Sequence, residues 1–164
     1  MIPALPAGRA AATVLALVLF AACASKTRRP TPTEPPLAPL FQRLGGKPAL
    51  TAIVEDLVAR AGADPAVNLF RAGTSAPWPA TTEQISHLKL RLYEYLCALA
   101  AGPCVYQGKG MRDAHRSFGI SNAQFNSFAA DLKTSMDKFN VASREEKELL
   151  AAVERTRADI VEGR

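Results

Sequence analysis

Residues 101–125 read AGPCVYQGKGMRDAHRSFGISNAQF, and this stretch decides how the rest of the chain is read. It opens on Ala101-Gly102-Pro103, a helix stop, and runs through a loop punctuated by Gly108 and Gly110. Met111 and His115 follow at a spacing that puts both on one face of a short helical segment. Gly119 closes the segment, and Ser121 with Gln124 forms a capping box that opens a new helix. The chain has only two histidines, so histidine chemistry rests on His115 or His87. Taken alone, His115 reads as a surface histidine on a helix.

Outward from this stretch the pattern is helical throughout, with no convincing strand alternation. Leu40 to Leu44 reads as a short helix broken by Gly45-Gly46, and Pro48 suits the first turn of the next one. Leu50, Ile53, Val54, Leu57 and Val58 form an amphipathic stripe that ends before Asp64-Pro65. A loop follows, with Val67, Leu69 and Phe70 near its start and Pro77-Trp78-Pro79 as its stiff point. Thr81 and Gln84 cap a long helix whose apolar face is Ile85, Leu88, Leu92, Tyr95, Leu96 and Leu99. Beyond Ser121, Phe125, Phe128, Ala129, Leu132, Met136 and Phe139 mark another helix. Ser143 with Glu146 predicts a cap for the last, with Leu149, Leu150, Val153, Ile160 and Val161 inward. The expectation is an all-α domain of about five helices over residues 40–164, the length of an ordinary single domain.

Composition narrows the function. The net charge of +5 is mild and scattered, which argues against a nucleic-acid footprint. Three cysteines neither build a disulfide scaffold nor combine with the histidines into a four-ligand zinc site. Gln107-Gly108-Lys109-Gly110 lacks the length and hydroxyl of a phosphate loop, and no nucleophile elbow is present.

The first residues read as an address. Residues 1–22 carry Arg9 and then an apolar run from Ala10 to Ala22, too short for a permanent span but suited to a signal peptide. The run ends Leu19-Phe20-Ala21-Ala22-Cys23, which resembles a bacterial lipobox, the motif in which the cysteine is lipidated and becomes the new N-terminus. The alternative is an ordinary secretory signal with Cys23 incidental. Residues 23–39 are rich in proline, with Lys26, Arg28 and Arg29, and read as an extended tether near anionic headgroups. These features predict a domain at the bacterial envelope, facing the periplasm and held to the outer membrane through Cys23. In that oxidising compartment Cys97 and Cys104 are expected to form a disulfide across the Gly102-Pro103 turn, the alternative being two independent thiols.

A lone histidine on a short helix, after a glycine-rich loop and opposite a long apolar helix, suits a haem site: one imidazole for the iron and an apolar slot for the porphyrin. Together Leu40-Phe41-x-Arg43-Leu44-Gly45-Gly46, Ala101-Gly102-Pro103, Tyr106-x-Gly108-x-x-Met111-x-x-x-His115 and Gly119-Ile120-x-x-x-x-Phe125 resemble a group I truncated haemoglobin, over roughly residues 40–162. The resemblance implies a two-over-two helical sandwich holding haem b (iron), with His115 as the proximal ligand and Met111 packed on the porphyrin. Phe70, Tyr95, Phe118, Ile120 and Phe125 match haem-contacting or pocket-lining places.

The chain departs from the family on the distal side. Members usually carry a tyrosine on the second helix, preceded by an aromatic; here those places hold Val58 and Leu57. The polar residues common on the long helix are replaced by Leu88 and Leu92. Arg91 is expected at a haem propionate, and His87 is expected to turn aside from the iron. Tyr95 is the residue that could still reach inward. The implied function is binding of a diatomic gas (oxygen, nitric oxide or carbon monoxide) in an apolar pocket. The sequence identifies no electron donor. Turnover of nitric oxide or peroxide is a secondary expectation, since no acid–base residue near the iron is evident. The competing reading is a haem-free globin fold kept as an interaction module of the envelope.

Overall fold

Gly45 adopts φ 96°, a left-handed conformation that strains any side chain, and a Cβ there would lie 2.8 Å from that of Ala49. This break turns α1 (Leu40–Arg43) sharply into α2 (Gly46–Ala63). The structure is a computed structural model that describes residues 37–163. The remaining helices are α3 (Thr82–Leu99), α4 (Met111–His115), α5 (Asn122–Lys138), α6 (Ser143–Glu154) and α7 (Arg157–Ile160), and no strand occurs among the described residues. The proposed signal peptide, Cys23 and nearly all of the tether lie outside those residues.

The α2 stripe is buried as its spacing predicts: Leu50, Ile53, Val54, Leu57, Val58 and Ala61 all face inward. α2 packs on both α3 and α5, while α6 packs on α5 and α3, which closes a two-over-two helical sandwich. Its centre is filled by Leu50, Ile53, Leu57, Leu96, Leu132, Met136 and Leu149. Both capping boxes form in full. Thr81 N–H donates to Gln84 Oε1 at 2.8 Å while Gln84 N–H donates back to Thr81 Oγ1. Ser121 and Gln124 repeat the exchange at 3.0 and 3.2 Å. Each cap contributes about 1 kcal/mol and fixes where its helix begins.

The last helix departs from expectation. Ser143 is its first residue rather than its cap, and Ala142 occupies the cap position with no side-chain bond. The reason lies with the glutamates: Glu145 reaches Arg43 at 2.5 Å and Glu146 reaches Lys133 at 3.1 Å, so Glu146 is not free to fold back. Arg43 also pairs with Glu148, tying α1 to α6. The expected single helix is moreover interrupted at Thr156, where the N–H and the hydroxyl both turn onto the Val153 carbonyl, at 2.9 and 2.7 Å. α7 then starts at Arg157 and packs on α4.

The expected disulfide is present: Cys97 and Cys104 are bonded with Cα atoms 5.8 Å apart. It joins the end of α3 to the loop before α4. Gly102 is required beside it, since a Cβ there would sit 2.6 Å from Cys97 Sγ and 2.8 Å from the Phe41 ring. Closing a loop this short contributes roughly 2–3 kcal/mol on a chain-entropy account.

Where α2 meets α5, Asp56 binds Lys138, accepts from Arg60 at 2.5 Å and accepts from the Ser135 hydroxyl at 2.9 Å. Lys138 above all, then Arg60 and Ser135, hold its carboxyl at about 2, against an ordinary 3.8, although burial opposes them. A carboxyl depressed in the folded state stabilises fully above its unfolded pKa and loses that contribution as pH falls through the folded value. Asp56→Asn is therefore expected to cost ~1–2 kcal/mol at neutral pH, discounted for the exposed Lys138. The deficit should shrink between about pH 4 and pH 2, as urea denaturation at several pH values would show. A deficit independent of pH would mean the ion pairs contribute nothing.

Candidate functional site

α4 is five residues long and buries none of its side chains fully, so it has little stability of its own. His115 is its last residue. Its Nδ1 lies 2.8 Å from the carbonyl oxygen of Met111. With Nδ1–H donating to that oxygen, Nε2 keeps its lone pair and the ring is held in one orientation, the condition for a metal ligand. Phe118 stands edge-on to the imidazole with ring centroids 6.3 Å apart. His115 thus carries the Phe118 ring beside it, with half-buried Met111 one turn earlier on α4.

The chain on either side of α4 is hung on its neighbours. Cys104 is bonded to α3. Gln107 N–H donates to the Glu94 carboxylate at 3.2 Å, and Tyr106 packs edge-on against Tyr95 with centroids 5.0 Å apart. Arg112 pairs with Asp159 at 2.7 Å. The N–H groups of Ser117 and Gly119 both donate to the Glu162 carboxylate at 2.8 Å, and these amides hold that carboxyl below the ordinary range. Ile120 is half-buried, and its carbonyl accepts from Glu162 N–H at 2.9 Å.

On the other side, Leu88 and Leu92 line α3, half-buried and packed against the edge of the core. Leu57 and Val58 are buried on α2. The polar side chains around the two leucines are already committed. Gln84 completes the α3 cap, Lys89 binds Glu55, and Arg91 pairs with Glu94 at 2.7 Å. His87 is exposed, and its Nε2 accepts from Arg91 Nε at 3.3 Å. A hollow of about 480 Å³ lies beside it, lined by Trp78, Glu83, Gln84, His87 and Leu88. Tyr95 is half-buried with its ring on Tyr106, and burial raises its phenol above the ordinary value.

Phe70 and Phe118 sit at the rim, 36% and 41% exposed. Phe70 tilts against Trp78 at 6.1 Å, and the guanidinium of the next residue, Arg71, lies 4.2 Å over the Phe118 ring. Phe125 is different: it is buried in the core with Arg157 stacked 4.2 Å above it. The Arg71–Phe118, Arg112–Asp159 and Glu162 contacts were not legible in the sequence. Their partners are tens of residues apart, and no local motif marks them.

The residues present fit a haem. One imidazole nitrogen is unengaged, on a ring held in place through its other nitrogen. Apolar groups (Leu88, Leu92, Met111, Ile120, Phe118) remain half-buried or exposed, where a fully packed core would have covered them. Among the described residues there is no cluster of three or more His, Cys, Asp or Glu able to hold a metal ion, so any iron here needs a macrocycle for its other ligands.

The sequence pattern of the family described as bacterial-like globin matches residues 39–162. The group 1 truncated hemoglobin GlbN of Mycolicibacterium paratuberculosis is 29% identical over 126 residues, covering 77% of this chain and 86% of the relative. The group 1 truncated hemoglobin of Tetrahymena pyriformis is 25% identical over 122 residues, covering 74% and 93%. The crystal structure of truncated hemoglobin from Tetrahymena pyriformis in its Fe(III) form superposes with a TM-score of 0.65 at 26% identity. It covers 76% of this chain and 98% of its own.

Proposed function

The chain belongs to the bacterial-like globins, as a group I truncated globin whose cofactor is haem, and from that premise we propose that it holds haem b through His115 and binds a diatomic gas in a donor-free pocket. The observation that carries this reading is the imidazole itself: its Nδ1 is engaged by the Met111 carbonyl and its Nε2 is left as a free base. Haem supplies the iron at which a gas molecule binds. His115 would hold the iron, and the chain would supply an apolar slot that excludes water, walled by Val58, Leu88 and Leu92. Met111 would pack against the porphyrin. Phe70, Tyr95, Phe118 and Ile120 border the slot, and Phe125 supports it from the core.

A wall without N–H or O–H groups selects by charge. A ligand that gains negative charge on binding finds no partner, a loss of roughly 1.5–3 kcal/mol relative to a pocket with one donor. Oxygen gains the most charge of the three gases, so nitric oxide and carbon monoxide are favoured. Arg91 stands at the pocket edge for a propionate, exchanging its hold on Glu94. At the envelope, residues 1–22 act as a lipoprotein signal, Cys23 carries the lipid, and residues 23–39 space the domain from the outer membrane. These assignments rest on the order apolar run, small residues, cysteine, prolines.

Absorption spectra of the purified ferric, ferrous and carbon monoxide forms test the proposal. The expected result is a Soret band that shifts when carbon monoxide is added. A colourless protein that takes up no added haem would instead mean a globin fold kept for interaction alone.

A further inference from the structure

α4 carries the proposed iron ligand on five residues with no buried side chain. Its N-terminal approach is fixed covalently by Cys104, but the turn that follows His115 has no such tie. Ser117 there has φ 65° and Gly119 φ 64°. A left-handed turn of this kind directs backbone N–H groups outward, and a short helix cannot hold them in place. One carboxylate gathers them: Glu162 accepts from Ser117 N–H with Oε1 and from Gly119 N–H with Oε2, both at 2.8 Å. The Glu162 and Gly163 N–H groups donate in return to the Ile120 carbonyl at 2.9 and 3.1 Å. Arg112 and Asp159 add a second link between α4 and α7. Residues 159–163 therefore act as a strap over the corner that begins at His115.

We infer that Glu162 is a positioning residue for His115: its two carboxylate oxygens clamp the Ser117 and Gly119 amides and so fix where α4 presents the imidazole. The inference rests on His115 being the iron ligand, as proposed above. Both oxygens are needed because two separate donors are bound. A glutamine in the same place keeps one acceptor but turns an NH2 toward the other amide. The position of the imidazole decides both the strength of the iron bond and the rate at which haem leaves. Changes in groups that orient a metal ligand commonly cost 10–100-fold in affinity.

The test compares Glu162→Gln with Glu148→Gln, a control on α6 whose partner is Arg43. Haem transfer to an acceptor globin is expected to be ~10-fold faster or more in Glu162→Gln, with a shifted iron–histidine stretching band in the ferrous protein. In the haem-free protein, amide hydrogen exchange over residues 111–120 should speed up while the α2 and α5 amides stay as protected as in the control. Haem loss within about twofold of the parent with an unmoved band would overturn the inference. So would exchange that rises equally across the whole chain, since that describes general destabilisation. A parent that binds no haem would sink the assignment of His115 and leave the exchange measurement to decide the role of Glu162.

Discussion

Replacing His115 with alanine is expected to strip the protein of its Soret band at stoichiometric haem. Only one other histidine exists, and it offers no rescue. His87 is exposed on α3, and its Nε2 already accepts from Arg91 at 3.3 Å. Met111, the remaining soft donor nearby, sits one turn before His115 with its carbonyl engaged by the imidazole. Deleting the ligand itself should cost more than the 10–100-fold typical of losing an orienting group, so at least ~100-fold in haem affinity. The fold should survive, because His115 lies outside the buried core. Haem titration followed by absorbance, with circular dichroism as a check on folding, measures both. Free imidazole added to the variant should restore part of the band by entering the vacated space. An unchanged spectrum and affinity would falsify the assignment of the ligand.

How much of this was legible in the sequence follows from how local each feature is. The α2 stripe, the capping boxes at Thr81 and Ser121, and the Met111–His115 spacing depend on residues within one or two turns, and all appear in the structure as read. The disulfide was legible because seven residues and a Gly-Pro turn leave little freedom for its ends. The Ser143 cap was misread for a long-range reason. Its partner Glu146 is pulled away by Lys133, and Arg43, about a hundred residues upstream in sequence, takes Glu145. At Thr156 the N–H and the hydroxyl both turn onto the Val153 carbonyl, whereas Thr134 makes the same kind of hydroxyl bond to Ala130 inside unbroken α5, so the residue type alone does not announce the break. At the site, the chemistry-bearing histidine could be found from sequence, whereas its support could not. Glu162 reaches back 45 and 43 residues to Ser117 and Gly119, and nothing in a lone glutamate near a chain end announces such a role. Phe125 shows the converse. Its position on the helix after His115 suits a pocket wall, yet its ring is covered by Arg157 and buried.

Introducing a tyrosine at Val58 is expected to slow oxygen release by ~10–100-fold, through one hydrogen bond of roughly 1.5–3 kcal/mol to the charged ligand. The argument turns on what the parent pocket lacks. Val58 on α2 and Leu88 and Leu92 on α3 bring only methyl groups. The polar side chains beside them are engaged with Thr81, Glu55 and Glu94 instead. Tyr95, the remaining hydroxyl within reach by sequence, packs its ring on Tyr106. Oxygen should accordingly leave the ferrous parent fast, while carbon monoxide, which gains little charge, should leave the parent and the variant at similar rates. The contrast between the two gases separates a hydrogen bond from a steric effect, since a bulkier pocket would retard both. Val58 is only 6% exposed, so the larger ring will cost ~1–3 kcal/mol of stability through overpacking. Leu92→Gln is the companion variant. Leu92 is only half-buried, so a glutamine there brings an amide donor from α3 with little strain. Stopped-flow displacement of oxygen by carbon monoxide gives the rates directly. Slow release from the parent itself would mean that a donor already reaches the ligand, with Tyr95 the first residue to replace.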